Sequence, residues 1–90
     1  MNKAELINTI FRKTAYSKPQ IEEILNAALS TIQSQVSEGN EVKIVGFGIF
    51  SCLHKKARIR RNPRNGVKVE VPETKVPKFR PGKEFRHSMS

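Results

Sequence analysis

The apolar residues of this chain change their spacing at Gly39, and that change limits the fold more than any other feature. Before it, Ile21, Ile24, Leu25, Ala28, Ile32 and Val36 recur at intervals of three or four. They trace one stripe over roughly five helical turns. After it, the apolar residues come in short β-branched or alternating runs, "EVKIV", "IFSCL", "VKVEV" and "KVPKF". A chain that is helical first and stranded afterwards belongs to the α+β class.

Local signals divide the helical part. Asn2 is a good N-cap for a first helix with Leu6, Ile7, Ile10 and Phe11 on one side. That helix is expected to run to about Tyr16. Ser17 then caps a second helix, with Pro19 tolerated in its first turn and Gly39 as C-cap. The two helices predict a hairpin base over residues 1–39. "GFG" (46–48) reads as a turn between two strands, and "RPGKEFRHSMS" as a short terminal helix with Phe85 and Met89 packing down.

Between the strands the chain has no core-like apolar run. "HKKARIRR" leads into "NPRNG" and returns through "VKVEV". Asn65-Gly66 is a strong hairpin signal. Eight residues from His54 to Arg61 reach roughly 26 Å at about 3.3 Å each. If five residues form the turn, Ile59 faces Val69, Ala57 faces Val71, Arg60 sits beside Lys68 and Arg58 opposes Glu70. The arm would then have one weakly apolar face. A lone hairpin is marginal in water, so mobility until a partner is met is expected.

Charge follows the same division. Residues 1–54 carry five Lys or Arg against five Glu; residues 55–90 carry twelve against three, and hold all of the +9 net charge. A neutral scaffold with a basic second half predicts a polyanion partner. A membrane is disfavoured, because no apolar run spans a bilayer and the basic region has strand character. "MNKAELINTIF" lacks the apolar core of a secretory signal, and the single Cys52 allows no intrachain disulfide. Cys52, His54 and His87 are isolated, so no metal or cofactor is expected. No nucleophile stands with a base at useful spacing, and no enzyme activity is expected.

The apolar groups exceed what one small chain can enclose. Two helices cannot cover Phe47, Phe50, Phe79 and Phe85 as well as their own stripes. A two-fold dimer would bury them and present two arms.

"MNKAELI", "VGFGIF", "RNPRNG" and "VPKFRPGKEFR" stand in the order and spacing of the bacterial HU and integration host factor family, which this chain resembles over essentially all of its 90 residues. The resemblance implies an intertwined homodimer, or a heterodimer with a related chain. A helical base carries a saddle of strands, and two β-arms reach around double-stranded DNA in the minor groove. One domain, 1–90, then comprises a base (1–39), saddle strands (40–54 and 73–80), a DNA-binding arm (55–72) and a C-terminal helix (81–90). The fold expected is thus a helical hairpin base with a three-stranded antiparallel sheet extended into a two-stranded β-arm. Pro63 matches the tip proline that wedges between base pairs, with Arg61 and Asn62 beside it. Lys55 and Arg58 match basic arm positions. Arg80, Lys83 and Arg86 match the phosphate-contacting flank, and Phe47, Phe50 and Phe79 the aromatic core.

The sequence departs from that pattern at Arg60, usually Gly; at Asn65, usually Thr; at Leu53, where many members carry Arg; and at Phe85, usually Leu. Lys55, Lys56, Arg58, Arg60, Arg61 and Arg64 put six cations in ten residues with no acid, which favours phosphate contact over a merely solvated strand. Asn65 and Lys68 complete the arm's candidate set. Lys3, Lys18 and Lys43 read as plain surface, with Lys3 kept as a phosphate candidate alongside Lys75 and Lys78. His54 reads as an exposed residue at the arm base.

The function expected is architectural, largely sequence-nonspecific binding, bending and compaction of chromosomal DNA in a bacterial nucleoid, with a plastid nucleoid as the variant. The alternatives are a sequence-preferring bender of the same scaffold, an RNA- or ribosome-associated basic protein, and a structural dimer with an incidental basic tail.

Overall fold

A computed structural model describes all 90 residues as three helices and five strands. Their contacts group into two units, residues 1–34 and 35–90.

In the first unit, α1 (Lys3–Lys13) starts where expected: the Asn2 side chain accepts a hydrogen bond from the Glu5 N–H at 2.9 Å. It ends earlier than expected, at Lys13, and the Thr14 hydroxyl donates back to the Ile10 carbonyl. α2 (Lys18–Ser37) opens with a capping box. The Gln20 N–H donates to Ser17 Oγ, and the Ser17 N–H to Gln20 Oε1. Its other end closes with the Gly39 N–H on the Val36 carbonyl and the Asn40 N–H on that of Gln35. That pairing needs a left-handed residue at position 39, and Gly39 supplies φ +89°.

In the second unit, β1 (Val42–Ile44), β2 (Gly48–Lys55) and β5 (Thr74–Pro81) form an antiparallel sheet in the order β1-β2-β5. β3 (Arg58–Arg61) and β4 (Lys68–Val71) form the separate two-stranded arm. Pro77 and Pro81 are tolerated because β5 is an edge strand. α3 covers only Lys83–His87. Pro81 ends β5, Gly82 is the N-cap, and Met89 stays 80% exposed rather than packing down.

The sheet has two unlike faces. Register places Val42, Phe50 and Phe79 side by side across the three strands. Phe47 and Phe85 join them, with ring centroids 5.1 Å apart and 5.4 Å from Phe47 to Phe79; Phe50 and Phe79 lie 4.7 Å apart. Offset and tilted rings at such distances are favourable beyond their burial. Gly48 makes the cluster feasible: a Cβ there would lie 2.5 Å from the Phe79 ring and 2.7 Å from the Arg80 carbonyl oxygen.

Within one chain this core stays open. Ile21 and Val36 are the only buried apolar side chains, while Ile24 is 61% and Phe47 41% exposed.

Candidate nucleic-acid interface

The arm continues the sheet. Lys55 pairs with Thr74 at the end of the β2–β5 ladder, and three residues further Arg58 pairs with Val71 in the same register. Lys56-Ala57 on one side and Pro72-Glu73 on the other interrupt it. Pro72 has no N–H to give to a ladder at that place.

The tip is organised by two asparagines. The Asn62 N–H donates to the Val67 carbonyl at 2.9 Å, and the Gly66 N–H donates to the Asn62 carbonyl at 2.8 Å. The Asn62 side chain accepts from the Arg64 N–H at 2.9 Å, and that of Asn65 from the Val67 N–H at 3.0 Å. Gly66 takes the left-handed conformation, φ +69°, that closes the loop. Pro63 follows Asn62, is exposed, and leaves no backbone donor unpaired at the tip.

This closure corrects the expected register by one residue. Val67 belongs to the loop, so Ile59 faces Glu70, Arg60 faces Val69 and Arg61 faces Lys68. A slip of one exchanges the faces of one strand relative to the other. The arm therefore has no apolar face. Arg58 and Arg60 share a side with Val71 and Val69, and Ile59 and Arg61 share the other with Glu70 and Lys68.

The arm's cations are not neutralised from within. Lys55, Lys56, Arg58, Arg60, Arg61, Arg64 and Lys68 are all exposed, and none forms an ion pair. The one contact of a basic side chain with a carboxylate joins His54 Nε2 to Glu73, at the junction between sheet and arm. Seven unpaired cations and an exposed tip proline form a surface that attracts phosphate and presents an apolar ring.

On the sheet, alternation of side chains sorts the remaining candidates. Lys55, Lys78 and Arg80 lie on the face opposite the phenylalanines, where register sets Lys78 against Ser51 and Arg80 against Ile49. Leu53 and Val76 form an apolar pair on that same face. Lys75, opposite His54, falls on the aromatic side. Lys83 and Arg86 are exposed on α3, whose start is tied to the β1–β2 turn by the Gly82 N–H on the Phe47 carbonyl at 2.8 Å. Lys3 is already engaged, its ammonium donating to Asn26 Oδ1. Phe85 lies outside the expected core trio of Phe47, Phe50 and Phe79, yet it completes their cluster.

An unneutralised cationic β-arm on a sheet with one aromatic and one basic face defines a surface suited to a polyanion. Comparison with known proteins makes this specific. The family described as bacterial DNA-binding protein matches residues 1–90. The DNA-binding protein HU of a Nostoc species is 44% identical, over all of this chain and 96% of its own length. HU 1 of Bacillus subtilis is 34% identical over all of this chain and 98% of its own. Among solved structures, a cocrystal of Anabaena HU with DNA superposes with a TM-score of 0.86 at 44% identity, covering 100% of this chain and 98% of that one. HU from Thermotoga maritima gives 0.71 at 33% identity, with full coverage of both. The chain belongs to the bacterial DNA-binding protein family, and within it is HU-like.

Proposed function

We propose that this chain is an architectural protein that binds double-stranded DNA with little base preference, bends it and compacts it. The observation that carries the reading is the row of unpaired arm cations leading to an exposed proline. Arginines entering a minor groove are drawn by its negative potential, most strongly where it is narrow. The Pro63 ring then enters a base step that is partly unstacked. Unstacking costs about a few kcal/mol per step and is offset by the contacts a bent duplex makes with the body.

The working form is a two-fold dimer. Leu6, Ile24 and Leu29 in the first unit, and Phe47 and Phe79 in the second, are exposed apolar side chains that a two-fold partner would cover. In that dimer Phe47, Phe50 and Phe79 form the core beneath the sheet, and two arms reach the duplex together. Lys55, Lys56, Arg58, Arg60, Arg61, Arg64 and Lys68 act along each arm. Lys78, Arg80, Lys83 and Arg86 receive the DNA between the arms. Asn62 and Asn65 shape the tip, and Lys3 and Lys75 are secondary contacts. The bacterial relatives support a place in the nucleoid of a bacterial cytoplasm. No helix is long and apolar enough to cross a membrane.

Paired titrations of duplex DNA and duplex RNA at about 50 and 200 mM salt test this. With roughly 6 to 10 phosphates neutralised, DNA affinity should fall by about 10³ to 10⁵ between those conditions. Duplex RNA, with its wide and shallow minor groove, should bind less well. Equal affinity for both duplexes would favour the RNA-associated reading instead.

A further inference from the structure

Three lysines of the neutral half look alike in sequence and differ in the structure. Lys3 donates to Asn26 Oδ1. Lys18 lies over the Phe11 ring, with Nζ 5.4 Å from its centroid, a cation–π contact. Lys43 has neither kind of partner. It is exposed in the middle of edge strand β1 and forms no ion pair.

Register fixes where Lys43 points. Val42 and Ile44 lie in rows with Phe50 and Gly48, on the aromatic side of the sheet. Lys43 pairs with Ile49, which pairs in turn with Arg80. The row Lys43–Ile49–Arg80 thus crosses all three strands on the face away from the phenylalanines. Lys43 and Arg80 backbones stand roughly 10 Å apart, two strand spacings. The neighbouring row brings Lys78 beside them. A one-residue slip of β1 would push Lys43 into the aromatic rings and Val42 to the open face, so burial locks the lysine where it is.

We infer that Lys43 is a further phosphate-contacting residue. With Arg80 and Lys78 it extends the basic track across the full width of the sheet, to an edge that the charge distribution of the sequence assigns to the neutral half. This rests on the DNA-binding reading above. An ammonium on a long flexible stem, unpaired and flanked by an open sheet edge, suits a phosphate of variable position rather than one fixed geometry. Glu41 immediately precedes β1, two residues before Lys43. It makes no ion pair with it and so opposes phosphate there.

The test compares the full-length chain with Lys43→Gln, Glu41→Gln and Lys18→Gln in DNA titrations over a salt series. Lys43→Gln should lower affinity and reduce the slope of log affinity against log salt by about 0.9 for each Lys43 in contact. Between about 50 and 200 mM salt, the unaltered protein then loses about threefold more affinity per contact than the variant. Glu41→Gln should strengthen binding, and Lys18→Gln should leave both slope and affinity unchanged. A Lys43→Gln protein with the original slope overturns the inference, whether its affinity is unchanged or lowered by a structural effect on β1. A salt-insensitive unaltered protein would instead overturn the DNA-binding reading on which the inference rests.

Discussion

The three-stranded sheet and the arm share one register, yet only the sheet has faces. In the sheet, Phe50 and Phe79 pair on one side and Lys78 and Arg80 stand on the other, because one side is covered by Phe47 and Phe85. In the arm, Arg60 pairs with Val69 and Ile59 with Glu70, so cationic and apolar groups mix on both sides. Burial fixes register where there is something to bury. Where there is nothing, the turn must do it, and here the Asn62 bonds to Val67, Gly66 and Arg64 do so. Packing sets the register of the sheet, while local hydrogen bonds at the tip set that of the arm.

Breaking the packed side should have the largest effect. Gly48→Ala sets a methyl group 2.7 Å from a backbone oxygen and 2.5 Å from the Phe79 ring, where neither can yield cheaply. A loss of about 2–3 kcal/mol is expected, as for overpacked cores. That lowers the melting temperature by roughly 10 °C or more, measurable by circular dichroism. An unchanged melting temperature would mean that the aromatic face does not stabilise the sheet.

The arm should answer differently. Asn62→Ala removes the acceptor for the Arg64 N–H. About 1 kcal/mol of local stability is expected to go. Hydrogen exchange should quicken at Arg64 and Gly66 while the amides of the β2–β5 ladder and the melting temperature stay as they were. A global loss of stability would contradict the separation of the two regions.

The smallest effect belongs to their junction. The Glu73 carboxylate lies against His54 at the base of the arm and repels phosphate there. At matched salt, Glu73→Gln should raise DNA affinity modestly, by less than about tenfold for one charge. An unchanged affinity would deny the junction any electrostatic role.

The helices, strands, arm and tip proline are legible in the sequence because each leaves a local mark: Asn2, Ser17 and Gly39 at helix ends, alternation in the strands, and Asn-Pro and Asn-Gly at the tip. The arm register differs by one residue from the expectation because its sequence offers no buried face to count from, and whether Val67 joins the loop is decided by hydrogen bonds. Met89 fits an apolar pattern but lies beyond the last turn of α3, which ends at His87. Lys3, Lys18 and Lys43 look equivalent in sequence, because only tertiary neighbours distinguish an engaged ammonium from a free one. Lys75 and Lys78 look equivalent too, and register puts them on opposite faces.

The arm cations are expected to hold DNA while Pro63 bends it. A random-sequence duplex with a fluorophore at each end, titrated with the protein at about 50 and 200 mM salt, reads binding and end-to-end distance together. The unaltered protein should bind with a steep salt dependence and draw the ends closer. Pro63→Ala, which removes no charge, should keep the salt slope and bring the ends less close. Ends that approach equally with Pro63→Ala, or that do not approach at all with the unaltered protein, would contradict the wedge and leave Pro63 an ordinary turn residue.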